Sequence, residues 1–319
     1  MESIVLGKTD IRLSPIIMGT WQTGKSMWTG IDDQQSEKAI QAAMDNGITT
    51  FDTAEVYGNG HSEKILGKAI GSQRNNVMIL SKVFSNHLKY DQVVAACNRS
   101  LKNLATDYLD LYQIHWPTGA FGAKPVPLEE TMKALTDLKT QGKIRAIGVS
   151  NFSLDQLKEI DSVGPIESLQ PPYSLLWRHV ETDTLAWCRE NRVTVLAYSP
   201  LAQGLLTGKF GPDHQFEKGD HRSSNRLFQP DLFAHVQQAL DALGPIAEKK
   251  GISMAQLALA WVIAKPGVCA IAGARNAVQA IDNAKAADVA LTEDEMNELD
   301  RISRPVTDLF DDNPVQWKW

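Results

Sequence analysis

The chain has 319 residues, 43% of them hydrophobic and 22% charged, with a formal net charge of −6 at pH 7. That balance suits a soluble globular protein with a sizeable core, and the absence of any Lys/Arg-rich run excludes nucleic acid as an expected partner. No apolar run nears the ~18 residues of a membrane span, so no membrane association is expected. The first residues, Met1 to Ser14, lack the basic region and long apolar stretch of a secretory signal, which points to a cytoplasmic protein. Within them, 4–6 and 11–13 flank Gly7-Lys8-Thr9-Asp10 and read as a β-hairpin.

Beyond the hairpin the pattern alternates. Short β-branched runs at 16–18, 49–51, 77–80, 109–114, 144–149, 168–170, 193–197 and 268–271 read as strands. Longer segments with helical spacing lie between them. One follows Asp32, with Ile40, Ala43 and Met44 on one face. The others are 62–70, 92–104, 128–140, 154–160, 180–190, 232–249 with 254–264, and 277–286. Repeated strand–helix units imply parallel strands with right-handed crossovers. Eight rounds without a composition break favour closure into a single (β/α)₈ TIM barrel over a doubly wound sheet. No linker divides the chain, so 1–319 reads as one domain. The segment 201–230, rich in Gly, His, Asp and Ser, is the least regular. In a barrel it becomes a long loop at the C-terminal face, where active sites lie.

Chemically useful residues fall at the C-terminal ends of successive strands. The second ends in Asp52, with Tyr57 in the loop beyond. The third ends in Ser81-Lys82, and the fourth in His115-Trp116-Pro117. Singly, an Asp after a strand is commonly a helix cap and a Lys a surface charge; four complementary groups on one rim point to a site. A phenol with an ordinary pKa near ~10 is a weak acid, and a neighbouring ammonium lowers that pKa. Asp52 would keep Lys82 charged, Lys82 would activate Tyr57, and His115 would donate to a substrate carbonyl oxygen. The set suits carbonyl reduction but contains no redox centre, so hydride must come from a cofactor.

The stretches Asp52-Thr53-Ala54-Glu55-Val56-Tyr57-Gly58, Ser81-Lys82 and Gln113-Ile114-His115-Trp116-Pro117 resemble the signatures of the aldo-keto reductase superfamily. So do Gly142 to Phe152, Tyr198-Ser199-Pro200-Leu201, and Gly273-Ala274-Arg275 with Gln279 and Asn283. The resemblance spans essentially the whole chain. It looks closest to the bacterial general-stress and inositol-operon type, which is related to the β subunits of voltage-gated potassium channels.

The resemblance implies a catalytic tetrad of Asp52, Tyr57, Lys82 and His115. It also implies NADPH/NADP⁺ lying across the barrel mouth. Ser150, Asn151 and Gln170 would hold the carboxamide, and Tyr198 would stack on the nicotinamide. Thr20 and Trp21 would meet cofactor and substrate. The stretch 199–209, with Ser199, Pro200, Leu201, Gln203, Gly204 and Lys209, would wrap the pyrophosphate. Arg275 would meet the 2′-phosphate beside Gly273 and Ala274, with Gln279 and Asn283 on the adenosine. A helix N-terminus and the planar fork of Arg275 suit a phosphate. Arg222 is a further expected cofactor contact. Trp21, Tyr57, Phe84, His115 and Trp116 would shape the substrate pocket.

Several look-alikes fail. The segment 204–209 has only three residues between its glycines and Phe210 where a P-loop needs Ser/Thr. Gly58-Asn59-Gly60 lacks the third glycine of a Rossmann turn. His214 and His221 have no supporting ligands at metal spacing, so no metal is expected. Cys97, Cys188 and Cys269, far apart, read as buried thiols. The expected protein is a monomer that reduces small aldehydes and activated ketones, with a metabolic or detoxifying output. The alternatives are a redox-sensing regulatory subunit with little turnover and a lyase or hydrolase using Lys82 as a Schiff-base nucleophile. Trp317 and Trp319, in a polar tail, are expected to fold over the mouth, onto a partner or elsewhere on the barrel.

Overall fold

The N-terminal apolar runs pair as an antiparallel hairpin of β1 (Ile4–Val5) and β2 (Arg12–Leu13). In the computed structural model, which describes residues 1–211 and 213–310, eight further strands follow. They are β3 (Ile16–Gly19), β4 (Thr50–Asp52), β5 (Met78–Val83), β6 (Leu109–Ile114), β7 (Ile144–Ser150), β8 (Ser168–Gln170), β9 (Thr194–Tyr198) and β10 (Val268–Gly273). All pair in parallel, and β10 bonds back to β3 to close the barrel. The tail carrying Trp317 and Trp319 lies outside the described residues.

Two apolar layers hold the barrel together. Side chains alternate along a strand, so one set points inward and one outward. Ile17, Leu80, Leu111, Ala146, Leu196, Cys269 and Ile271 fill the interior with Leu6, Ile11 and Leu13 of the hairpin. The hairpin is fixed at the N-terminal end of the barrel. There the Gly7 N–H donates to Thr194 Oγ1 at 2.8 Å and the Lys8 N–H to Glu167 Oε2 at 2.7 Å. Phe51, Ile79, Tyr112, Ile147 and Val195 face outward against the helices. All three cysteines are buried and free, and burial pushes each thiol up to about 12.

The surrounding helices are α1 (Asp33–Asp45), α2 (His61–Ile70), α3 (Tyr90–Leu104), α4 (Leu128–Thr140), α5 (Leu154–Val163), α6 (Thr184–Glu190), α7 (Pro230–Lys250), α8 (Met254–Ile263), α9 (Ala277–Lys285) and α10 (Glu293–Thr307). Asp32 caps α1, accepting from the Gln35 N–H at 2.8 Å. Reciprocal Ser–Gln capping boxes start α5 and α8. Two expectations change. The segment 180–190 is not one helix: Asp183, at φ −152° and ψ −32°, separates a short turn at His179–Glu181 from α6. And α10 follows the last expected helix. Its Thr292–Glu295 capping box and acidic first turn start it, and Met296, Leu299, Ile302 and Val306 form its core-facing stripe. Among the described residues, no helix is long and apolar enough to cross a membrane.

Candidate active site

Parallel closure brings every strand's C-terminal end to one rim. Asp52 ends β4, Lys82 is penultimate in β5, and His115 follows β6 directly. Ser150, Gln170, Tyr198 and Gly273 are the last residues of β7, β8, β9 and β10. All of these but Lys82, scattered over more than two hundred positions, thereby line one cavity of about 880 Å³. That lies within the usual range for small-molecule sites.

Lys82 is the pivot. It is fully buried, and its Nζ donates to Asp52 Oδ1 at 2.6 Å, to the Thr53 carbonyl at 2.8 Å and to Tyr57 Oη at 3.2 Å. Asp52 Oδ2 accepts from Gln170 Nε2 at 2.9 Å, so both carboxylate oxygens are engaged. The Tyr57 and His115 rings meet edge-to-face at 5.7 Å. Tyr57 is seated by a close backbone approach. A methyl on Gly24 would lie 2.6 Å from the Tyr57 carbonyl carbon, and one on Gly58, at φ +63°, would strike the Gly24 carbonyl.

The electrostatics correct one expectation. Lys82 does not leave Tyr57 more acidic: burial, and then the Asp52 carboxylate, push the Tyr57 pKa well above its ordinary value. Burial disfavours a phenolate, and the negative charge of Asp52 disfavours it further. Tyr57 therefore keeps its proton. Burial also lowers the Lys82 pKa, with Asp52 opposing that fall. His115 is held well below 6.5 by burial and by Lys82. A neutral imidazole has one donor and one acceptor nitrogen.

The rest of the rim forms a polar network. Ser150 Oγ donates to the Gln170 carbonyl at 2.8 Å, and Asn151 Nδ2 to the His115 carbonyl at 3.0 Å. Tyr198 Oη donates to Asn151 Oδ1 at 2.9 Å. Of the expected site residues, Trp21, Phe84, Trp116, Ser199, Pro200, Leu201, Gln203, Gly204, Lys209, Arg222, Arg275, Gln279 and Asn283 all line the cavity. Three do not. Thr20 is buried, its hydroxyl donating to the Asp52 carbonyl at 3.0 Å. Ala274 is packed in the core, and Lys82 sits behind Asp52 and Tyr57. Gln22, Met27, Trp28, Phe121 and Asp220 also line the cavity. Trp28 stood out in the sequence as an aromatic of the first long loop; the others were missed because only folding brings the loops after β3, β6 and β9 together. His221 joins those loops: its backbone N–H donates to the Met27 carbonyl at 3.2 Å, and its Nδ1 lies 2.8 Å from the same oxygen. Its ring packs on Trp21 and Trp28 at 4.7 and 4.6 Å. His214 packs on Phe210 and Phe216.

The cavity has two chemically different ends. Trp21, Phe84, Trp116 and Phe121 wall the end beside Tyr57 and His115, with Phe84 stacked on Phe121 at 5.4 Å. The other end, beside Gly273 at the start of α9, presents Lys209, Arg222 and Arg275. Residues that line this interior carry polar atoms buried without a hydrogen-bond partner, among them Gln203 Nε2, Arg275 Nη2 and His115 Nδ1. Buried unpaired groups are costly and few in folded proteins, so these mark places where a ligand completes the bonding. A long, anionic, partly aromatic ligand such as a nicotinamide dinucleotide fits that distribution.

Comparison with known proteins agrees. The model of the Aldo/keto reductase family matches residues 15–304. Aldo-keto reductase YhdN of Bacillus subtilis is 40% identical over 287 residues, covering 86% of this chain and 85% of that protein. A probable voltage-gated potassium channel β subunit of Arabidopsis thaliana is 33% identical, covering 89% and 90%. The NADH-specific methylglyoxal reductase of Escherichia coli is also 33% identical, covering 92% and 95%. Among solved structures, a glycerol dehydrogenase from Gluconobacter oxydans superposes with a TM-score of 0.87 at 34% identity, covering 99% and 98%. An aldo-keto reductase of Klebsiella pneumoniae in complex with NADPH gives 0.79 at 31% identity, covering 100% and 99%. Barrel, rim and relatives lead to one assignment: the chain is an oxidoreductase of the aldo/keto reductase family.

Proposed function

We propose that the protein is an NADPH-dependent reductase of aldehydes and activated ketones, with Tyr57 as the proton donor. The observation that carries this reading is the placement of Lys82 Nζ between Asp52 and the Tyr57 hydroxyl, at 2.6 and 3.2 Å, behind two residues that line a large cavity. When bound, the nicotinamide supplies the hydride. Tyr198 would stack on it, and Ser150, Asn151 and Gln170 would meet its carboxamide. The turn 199–209 would take the pyrophosphate. Arg275 would take the 2′-phosphate, and Gln279 and Asn283 the adenosine.

The chain's own groups then manage the proton. His115, neutral because it is buried, donates a hydrogen bond to the carbonyl oxygen and orients it above Tyr57. The Tyr57 phenol, protonated at rest, donates its proton to that oxygen as negative charge builds there, because an alkoxide is the stronger base. Lys82 stabilises the phenolate left behind, and Asp52 holds Lys82 in place. Trp21, Phe84, Trp116 and Phe121 exclude water from the reacting end.

Residues 1–319 act in this reading as one domain and as a monomer, clearing reactive carbonyls in the cytoplasm, including under stress. The kinship with a channel β subunit keeps a second reading open, a cofactor-binding sensor with little turnover. Steady-state NADPH oxidation against a panel of aromatic, aliphatic and dicarbonyl aldehydes separates the two. A reductase shows catalytic turnover with at least one class. Tight NADPH binding with no turnover across the panel supports the sensor and overturns the enzyme.

A further inference from the structure

The arginine-bearing end of the cavity contains an acid that the proposed chemistry does not use. Asp220, 3% exposed, lines the cavity and holds Arg222 in a two-point pair. Arg222 Nε donates to Asp220 Oδ1 at 2.9 Å and Arg222 Nη2 to Oδ2 at 2.6 Å. Burial pushes this carboxyl up, but hydrogen bonds from Arg222 outweigh it and leave its pKa below the usual range. Arg275 is arranged differently. Its Nη2 is buried without a hydrogen-bond partner. The two guanidiniums converge on one ring, their Cζ atoms 5.1 and 5.5 Å from the centroid of Trp28. One arginine is therefore open and the other neutralised, side by side. The remaining charges lining this end are Lys209, Glu217 and Asp282.

We infer that Asp220 sets the balance between phosphorylated and unphosphorylated cofactor by neutralising Arg222 beside the open Arg275. The inference rests on the nucleotide reading of the site given above. A 2′-phosphate carries close to two negative charges, and a ribose hydroxyl carries none. Asp220 acts against the phosphate in two ways: it repels it, and it competes with it for the Arg222 fork. Neither effect touches a cofactor that lacks the phosphate. Selectivity is a difference of two affinities, so a charge felt by one ligand alone shifts it directly. Asp220 is thus a positioning residue that restrains NADPH affinity and keeps release of the cofactor from becoming too slow.

The test is equilibrium binding to the full chain, read by tryptophan fluorescence quenching, for NADPH, NADH and adenosine 2′,5′-bisphosphate. Asp220→Asn keeps an oxygen to accept from the Arg222 N–H, 3.1 Å away in the wild type. Asp220→Ser is a second, smaller replacement should the amide disturb the loop. The expected result is NADPH and the bisphosphate bound about tenfold more tightly, ~1.4 kcal/mol, with NADH changed less than twofold and dissociation of NADPH correspondingly slower. NADPH unchanged or weakened in both variants, or NADH tightened as much as NADPH, overturns the inference while leaving nucleotide binding intact. A wild-type protein that binds neither dinucleotide overturns the nucleotide reading itself, and this inference with it.

Discussion

A lysine with no exposure to solvent persists in the barrel because three acceptors surround it, and its partner Asp52 is engaged on both oxygens. Removing one member of a buried ion pair strands the other charge and typically costs ~3–5 kcal/mol. Lys82→Met and Asp52→Asn should each lose stability on that scale in urea unfolding. The double variant should lose less than the sum; strict additivity would show that the pair is not coupled. His115 gives a pH signature. Its folded pKa lies well below 6.5 because of burial and Lys82, so the unfolded chain takes up that proton first as pH falls. Its contribution to stability is full above ~6.5 and is lost as pH drops from there toward the folded pKa. His221, lowered chiefly by burial, adds in the same direction. Urea midpoints at pH 7.5 and 5.5 should fall less in His115→Asn than in the wild type, and equal falls would contradict this. At this scale the rim acids, bases and Arg275 were legible, because each sits at a strand's end with no long-range geometry needed. Thr20 was misjudged because its hydroxyl serves Asp52's strand end, and Asp220 was missed because its pairing with Arg222 depends on a loop's path.

Elements carry the next level of specificity. The loop after β3 and the loop after β4 touch backbone to backbone at Gly24 and Gly58, and that contact sets the height of Tyr57. Gly24→Ala would push the Tyr57 loop outward. It should lower kcat by about ten- to a hundredfold, in line with the sensitivity of catalysis to ~1 Å misplacement, while NADPH affinity changes little. Unaltered kcat would show that the loop yields elsewhere. Strand positions were readable because β-branched runs recur between helical segments. The segment 180–190 misled because its apolar residues keep helical spacing across Asp183, where the backbone breaks. The helix α10 was announced by the Thr292–Glu295 capping box and by apolar residues at 296, 299, 302 and 306, and was overlooked because it follows the eighth strand–helix round and so adds nothing to the barrel repeat.

On the scale of the whole molecule, the barrel separates stability from chemistry along its axis. The hairpin closes the N-terminal end, and the cavity opens at the other. Leu6→Ala should cost about 2–5 kcal/mol of stability by leaving a hole in the interior, with kcat and KM for an aldehyde unchanged. A kinetic effect as large as the loss in stability would contradict that separation. Closure itself was foreseeable from eight strand–helix rounds, whereas the bridge from Met27 to His221 across the mouth was not, since it joins loops almost two hundred residues apart. The central claim is that Tyr57 delivers the proton while other groups bind the cofactor. The most direct measurement pairs NADPH affinity with the rate of NADPH oxidation by 4-nitrobenzaldehyde, in wild type and Tyr57→Phe. The account predicts affinity within a few-fold and a rate lowered at least ~10²-fold, at the low end for loss of a general acid. A Tyr57→Phe protein that turns over at the wild-type rate would contradict it.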